Sequence, residues 1–194
     1  MIRLYCATGN PGKLREFRLA AEHAPVDIEL LPDFRGLPSV IEDGNTFEEN
    51  AIKKVQHYAP YAGGLLFADD SGLEVDALDG APGVYSARFS GEGATDESNN
   101  RLLLEKLDGV SNRSARFTCA IALGEGREIR GVWRASVEGR ILEAPCGKQG
   151  FGYDPLFYYE PFGCTFGEVE GLRKFAVSHR GKALRAMLNA LSTS

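Results

Sequence analysis

The chain has 194 residues, 43% of them hydrophobic, and its 22 basic and 27 acidic side chains give a formal net charge of -5. This composition predicts one globular domain over residues 1–194, and the acidic balance argues against a nucleic-acid partner, whose binding relies on Lys and Arg. The longest unbroken apolar run has five residues, against the roughly 20 that cross a bilayer, so we expect no membrane partner.

The start of the chain and its cysteines both indicate a cytoplasmic protein. Residues 1–5 predict a strand rather than the cationic and then long apolar segment of a signal peptide. The cysteines are 113, 27 and 18 residues apart, which matches neither a zinc-ligand nor a thioredoxin-type spacing. Buried, reduced thiols are therefore expected at Cys6, Cys119, Cys146 and Cys164.

The first elements predict the opening of an α/β unit. Residues 2–7 form an apolar run typical of a buried strand, and a helix is predicted over 13–22 from the helical spacing of its apolar residues. The turn at 8–13, Thr-Gly-Asn-Pro-Gly-Lys, is a candidate phosphate-binding loop, because free backbone N–H groups, a helix N-terminus and an ammonium group favour phosphate oxygens. It is not a Walker A loop, since Ala7 and Leu14 replace that motif's first glycine and its Ser or Thr. A purely structural turn is the alternative.

A capped helix and a buried strand lead to a pair of aspartates. Thr46 with Glu49 forms a capping box, which predicts a helix over 47–58. Residues 65–68 predict a buried strand that runs directly into the Asp-Asp-Ser sequence at 69–71. This is the place where α/β sheets bind their ligands.

Asp69 and Asp70 form a candidate metal site. If the strand continues, adjacent side chains point to opposite faces, so one carboxylate would bind a ligand and the other would support it. Oxygen ligands without a nearby His or Cys cluster favour Mg²⁺, and Glu42 is a second candidate ligand. Turn chemistry is the alternative for paired aspartates.

The remaining elements predict a mixed sheet. Residues 72–94 contain five glycines and no helical period, which indicates a long ordered loop. A capped helix is predicted over 95–107, and 116–123 with 128–137 predict an antiparallel hairpin. A last helix is predicted to begin after Ser178 as its N-cap.

Two further segments offer groups for a nucleotide. Residues 150–155, Gly-Phe-Gly-Tyr-Asp-Pro, place aromatic rings between glycines, where a ring could stack on a base; core aromatics in a tight turn are the alternative. Lys174 with the Ser-His-Arg sequence at 178–180 gathers donors suited to an anion or a carbonyl oxygen. The charge pattern agrees with a metal site in one segment and an anion site in another, because residues 42–79 carry a net charge of -7 and residues 171–194 carry +5.

These motifs, in this order, resemble those of the inosine triphosphate pyrophosphatase family, which hydrolyses non-standard purine nucleoside triphosphates. The most specific of them is the Gly-Val-Tyr-Ser-Ala-Arg-Phe-Ser-Gly sequence, and the bacterial dITP/XTP pyrophosphatase type is the most similar branch. The segments that carry the resemblance are 7–13, 46–51, 68–73, 83–91, 150–155 and 178–180.

The resemblance implies an α/β fold in which an elongated mixed β-sheet with flanking helices forms two lobes around a central active-site cleft. It implies a reaction that converts a nucleoside triphosphate and water to the monophosphate and pyrophosphate. It also implies Mg²⁺ as cofactor, purine nucleoside triphosphates as small-molecule partners and a homodimer as the assembly.

The resemblance also implies roles for residues by their position. Glu42 and Asp70 would bind the metal, and Asp70 is the expected proton acceptor; whether it acts as base or only as ligand stays open. The residues expected to hold the triphosphate are Thr8, Gly9, Asn10, Pro11, Gly12 and Lys13. The residues expected to contact the nucleotide are Ser71, Phe151, Gly152, Tyr153, Asp154, Lys174, His179 and Arg180.

Donor and acceptor chemistry predicts which bases fit. Hypoxanthine and xanthine carry a 6-oxo acceptor where adenine carries an amino donor, so Arg180, which only donates, favours the oxo bases. Adenine would leave buried donors unpaired, at about 1–3 kcal/mol per group. We therefore expect hydrolysis of ITP, dITP and XTP, which cleanses the nucleotide pool. A non-catalytic nucleotide sensor that kept the pocket is the alternative from another class.

Overall fold

A seven-stranded sheet forms the centre of the molecule in the computed structural model, which describes residues 2–192. In chain order the strands are β1 (Ile2–Cys6), β2 (Val26–Leu30), β3 (Leu65–Val75), β4 (Ser114–Glu125), β5 (Glu128–Ile141), β6 (Phe157–Tyr159) and β7 (Cys164–Thr165). Their spatial order is β2-β1-β3-β4-β5-β6-β7. β1 pairs in parallel with β2 and β3, and the later pairs are antiparallel, so the predicted mixed sheet is confirmed.

Side-chain caps begin the helices that flank this sheet. The helices are α1 (Pro11–Ala20), α2 (Phe47–Tyr58), α3 (Asp96–Lys106), α4 (Gly171–Val177) and α5 (His179–Ser192). Asn10, Thr46 and Thr95 accept hydrogen bonds from first-turn amides of α1, α2 and α3. Ser178 Oγ accepts from the Gly181 amide at 3.2 Å, as predicted for the last helix. These caps satisfy N–H groups that have no partner within a helix.

The hydrophobic core has three parts, and β3 contributes to each of them. α1 and α5 pack on one face of the sheet and bury Phe67, while α2 packs on the other face over Leu66. Farther along the same strand, Leu73 lies in a third cluster with residues of α3. The polar residues 69–71 of this mixed-sheet α/β fold therefore lie between the part of β3 that joins the first two clusters and the part that joins the third.

Several elements differ from their predicted limits. β3 continues to Val75 because its residues pair with β4 along its whole length, so the expected loop over 72–94 was wrong for its first four positions. β4 and β5 are longer than predicted for the same reason. α1 spans Pro11–Ala20 rather than 13–22, since Asn10 is its cap. The elements that were not predicted are β2, α4, β6 and β7.

The four cysteines are free, but only two of them are buried. Cys6 and Cys119 lie in the core, whereas Cys146 is exposed and Cys164 is partly exposed. The prediction of burial was wrong for the latter two, because Cys146 lies in the loop after β5 and Cys164 on the edge strand β7. No helix within residues 2–192 is long and apolar enough to span a bilayer.

Candidate active site

A cleft of about 310 Å³ opens beside residues 69–71 of β3. It brings together most of the residues predicted for the site, namely Thr8, Gly9, Asn10, Lys13, Glu42, Asp70, Ser71, Phe151, Gly152, Tyr153, Asp154 and Arg180. Pro11 and Gly12 instead form the first turn of α1. Lys174 and His179 are buried behind the wall, where they contact residues that line it.

The loop before α1 uses most of its own backbone donors. Asn10 Oδ1 accepts from the amides of Gly12 at 2.8 Å and Lys13 at 3.2 Å, and the Asn10 amide donates to Thr8 Oγ1 at 3.2 Å. Pro11 has no N–H group. The prediction that the backbone donors of this loop are free was therefore wrong for Asn10, Gly12 and Lys13. Thr8 and Lys13 both line the cleft.

Asp69 faces the α1 and α5 side of the sheet, where cations surround it. Its Oδ2 accepts from Lys13 Nζ at 2.8 Å and from Ser71 Oγ at 3.1 Å, and Arg180 Nε lies 3.9 Å away. Burial alone would raise the pKa of Asp69, but Lys13, Arg180 and Lys54 outweigh it and hold that pKa below its ordinary value. Asp69 is thus an ionised support for two cations of the site.

Asp70 faces the α2 side, where Lys54 joins it to Glu42. Asp70 Oδ2 accepts from Asn50 Nδ2 at 2.9 Å, and Lys54 Nζ lies 3.5 Å from Asp70 Oδ1 and 2.6 Å from Glu42 Oε2. Lys54 also donates to the backbone oxygen of Asp69 at 2.9 Å. Burial raises the pKa of Asp70, and the Glu42 charge adds to it, despite the nearby cations.

Glu42 and Asp70 both lie within ion-pair distance of the Lys54 ammonium group. Both approach one ammonium nitrogen, so their oxygens already face a common positive charge. Within residues 2–192, no group of three or more His, Cys, Asp or Glu is placed to share a metal. Mg²⁺ commonly takes one or two carboxylates together with waters and substrate phosphates, so the donor set of Glu42 and Asp70 fits this ion.

Glu16 connects the basic residues at the other end of the cleft. Its two carboxylate oxygens accept from Lys174 Nζ at 3.0 Å and from Arg180 Nη1 at 2.8 Å. Lys174 also donates to Asp154 Oδ2 at 2.5 Å, and Arg180 Nη2 donates to Ser71 Oγ at 3.0 Å. Burial raises the pKa of Asp154, although Lys174 acts against it. The network fixes both cations beside the cleft.

The segment 150–155, which carries Phe151 and Tyr153, is held in place by α3. The Gly152 amide donates to Asp96 Oδ2 at 2.7 Å, and Asn100 Nδ2 donates to the Gly152 carbonyl at 3.0 Å. The neighbouring Phe151 ring has Arg180 Cζ 5.0 Å from its centroid. Tyr153 is buried, and its hydroxyl donates to the Ser86 carbonyl at 2.7 Å, so it forms part of the wall.

His179 is buried, and its polar atoms are left without partners. Its ring stacks on Phe117, with centroids 4.9 Å apart and planes 12° apart. Neither ring nitrogen has a hydrogen-bond partner in the described part of the chain. Burial and the charges of Arg180 and Lys174 lower the pKa of His179 well below its ordinary value, so the imidazole is neutral. It therefore offers one donor and one acceptor.

Comparison with known proteins identifies the family. The family model described as the Ham1 family matches residues 4–190. The chain belongs to the Ham1 family. The resemblance inferred from the sequence motifs is confirmed by this match and by similar proteins named dITP/XTP pyrophosphatase.

This Ham1 chain is similar to two curated relatives and to two solved structures. dITP/XTP pyrophosphatases of an Exiguobacterium species and of Geobacter sulfurreducens are 50% and 49% identical to it, covering 96% and 98% of this chain and 95% and 97% of the relatives. The structure of a Ham1 protein from Coxiella burnetii has a TM-score of 0.89 at 38% identity over the full length of both chains. A nucleoside-triphosphatase / dITP/XTP pyrophosphatase from Mycobacterium abscessus has a TM-score of 0.71 at 37% identity, covering 99% and 97%.

Asn50, Lys54 and Glu16 are among the residues of this Ham1 site that were not predicted from the sequence. Asn50 and Lys54 lie four residues apart on α2, a spacing that places both on one helix face. Glu16 lies three residues after Lys13 on α1. The signal that could have identified them is a polar residue on the apolar face of a predicted helix. A buried polar group needs a hydrogen-bond or ion-pair partner.

Proposed function

We propose that this chain hydrolyses the non-standard purine nucleoside triphosphates ITP, dITP and XTP to the monophosphate and pyrophosphate, and so cleanses the nucleotide pool. One observation carries the proposal: a carboxylate pair and a buried cation network meet in one cleft of a chain whose full-length relatives are named dITP/XTP pyrophosphatase. The pair suits a metal, and the cations suit an anionic nucleotide.

Glu42 and Asp70 are the residues proposed to hold Mg²⁺. When bound, this ion neutralises phosphate charge and makes a bound water easier to deprotonate. Asp70 is proposed to accept the proton of the attacking water, with Asn50 holding its carboxylate at 2.9 Å. The Lys13 ammonium and the Thr8 hydroxyl bind phosphate oxygens, and Asp69 orients Lys13.

Base selection is proposed to come from groups around Arg180. Two of its nitrogens are engaged by Glu16 and Ser71, while the neutral His179 keeps a free donor and a free acceptor within residues 2–192. A 6-oxo base supplies an acceptor to these donors, and the Phe151 ring covers the base. Lys174 and the backbone of segment 151–154 complete the base side.

A panel of nucleotides tests the proposal. With Mg²⁺ present, ITP, dITP and XTP should yield monophosphate and pyrophosphate in equal amounts, measured by anion-exchange chromatography, while ATP reacts much more slowly. Asp70→Asn should keep nucleotide binding and lose hydrolysis. Equal turnover of ATP and ITP would contradict the proposed specificity, and binding without turnover in the parent would favour a sensor.

The proposal includes a cytoplasmic homodimer, in keeping with the family resemblance and with the location of free nucleotides. Light scattering coupled to size exclusion should give twice the chain mass of 21.1 kDa. Fractionation of cells that produce the protein should place it with the cytoplasmic fraction. A monomer at micromolar concentration would contradict the first expectation without affecting the reaction.

A further inference from the structure

Arg88 differs from the other cations that line the cleft. Lys13 pairs with Asp69 at 2.8 Å, Lys54 pairs with Glu42 at 2.6 Å, and Arg180 pairs with a carboxylate of α1 at 2.8 Å. Arg88 lines the same cleft but forms no ion pair within residues 2–192. Among the cations of the cleft wall in the described residues, Arg88 is therefore the one whose charge is not neutralised by a carboxylate.

Two contacts hold the Arg88 guanidinium at the cleft. Its Nη2 donates to the backbone carbonyl of Glu42 at 3.1 Å, and its Cζ lies 5.1 Å from the centroid of the Tyr85 ring. Arg88 is the last residue of the 3-10 turn Gly83–Arg88. A guanidinium has five N–H donors in a planar fork, so most of them stay available to an anion.

A series of contacts connects Arg88 to the carboxylate pair of the proposed metal site. Arg180 binds Ser71, which follows Asp70 on β3; Asp70 lies beside Lys54, and Lys54 binds Glu42. Arg88 then binds the Glu42 carbonyl. A nucleotide whose phosphates lie at Glu42 and Asp70 would thus have the Arg88 guanidinium beside them.

We propose that Arg88 binds the β- and γ-phosphates of the substrate, the part that leaves as pyrophosphate. This inference rests on the proposed function. Water attacks the α-phosphorus, the bond from that phosphorus to the α,β-bridging oxygen breaks, and this oxygen keeps the electron pair, while the proton of the water passes to Asp70. A planar guanidinium binds phosphate oxygens in a bidentate manner and stabilises the charge that develops on the leaving group.

Calorimetric titration of the products separately tests this role without requiring turnover. Inorganic pyrophosphate with Mg²⁺, and IMP, are titrated into the parent chain, Arg88→Gln, Arg88→Lys and Arg127→Gln. Arg127 lies exposed in the turn between β4 and β5, outside the cleft, and serves as the matched control. Arg88→Gln should weaken pyrophosphate binding about tenfold and change IMP binding less than about twofold. Arg88→Lys should recover part of the loss, and Arg127→Gln should match the parent.

Two results would overturn the inference alone. If Arg88→Gln keeps the parent's affinity for pyrophosphate, the residue does not bind this group. If it weakens pyrophosphate and IMP equally, Arg88 acts by holding the Glu42 segment. A folded parent that binds neither product would overturn both the proposed function and this inference. If the parent hydrolyses ITP, the proposed function stands even when Arg88→Gln gives either of the two results above.

Discussion

Asp69 and Asp70 are neighbours on β3 whose side chains serve opposite faces of the sheet. Asp69 binds Lys13 at 2.8 Å, and Asp70 binds Asn50 at 2.9 Å. The alternation of side chains along a strand separates them, so two identical residues have different environments. One stabilises a cation that is part of the fold, and the other is available to a ligand.

The two aspartates should therefore respond differently to the same substitution. Asp69→Asn leaves Lys13 without its carboxylate partner, and breaking a buried ion pair costs about 3–5 kcal/mol. Asp70→Asn keeps an oxygen for Asn50 and removes a buried charge, so its stability should stay within about 1 kcal/mol of the parent. Urea unfolding without metal measures both. A similar loss in the two variants would contradict the assignment.

Glu16→Gln should destabilise the chain and weaken nucleotide binding. The substitution keeps the size of the side chain but removes the charge that Lys174 and Arg180 share, both of which are buried. We expect a loss of about 3–5 kcal/mol in urea unfolding and a higher KM for ITP. Glu22→Gln, an exposed position just after α1, is the control and should stay within about 0.5 kcal/mol.

His179 should make the stability of the chain depend on pH. The unfolded chain takes up a proton at this residue below about pH 6.5, whereas the buried imidazole has a lowered pKa and stays neutral. The contribution of the neutral His179 to the free energy of unfolding is therefore fully present above pH 6.5. Below that pH the free energy of unfolding falls by about 1.4 kcal/mol per pH unit. His179→Phe keeps the stack on Phe117 and should remove this slope, as urea unfolding at pH 7.5, 6.5 and 5.5 would show. Equal slopes in parent and variant would mean that His179 is protonated when folded.

Asp96→Ala should weaken the binding of nucleotides but not of inorganic phosphates. The substitution removes the acceptor of the Gly152 amide and frees the loop that carries Phe151. Loss of one such hydrogen bond is worth about 1 kcal/mol, or about fivefold in KM for ITP. The affinity for tripolyphosphate, which has no base, should be unchanged. Glu97→Ala, in the same first turn of α3, controls for the helix dipole, and an equal effect there would contradict the role of Asp96.

The sequence predicted local elements well and paired elements less well. α2 has the predicted bounds, because the Thr46 cap and the helical spacing are both local signals. β3 was predicted too short, because a strand interrupted by Asp69, Asp70 and Ser71 looks polar. Its backbone is satisfied by β4, whose paired residues lie 40 to 60 positions farther along the chain, where local patterns do not reveal them.

The same distinction applies to the site. The predicted segments converge, because β3 and the loop before α1 bring their motifs to one cleft. The contact of Glu16 with Lys174 joins residues that are 158 positions apart, so only the packing of α1 against α4 creates it. In the loop over 8–13, the prediction of free backbone donors was wrong for Gly12 and Lys13, because the Asn10 side chain accepts from both amides to begin α1.

β3 contributes to all three core clusters, and this limits how the cleft can change its width. Since β3 and β4 pair without interruption from Leu65 to Val75, the cleft cannot narrow by rotation about a flexible linker, and any closure must bend or twist the sheet itself. Asp70 thus lies on a strand that is paired with β4 on both sides of the site. The cleft wall also includes residues of Gly83–Arg88 and of 151–154, which lie outside the sheet, so a change in the width of the cleft that leaves the sheet unchanged must move these segments.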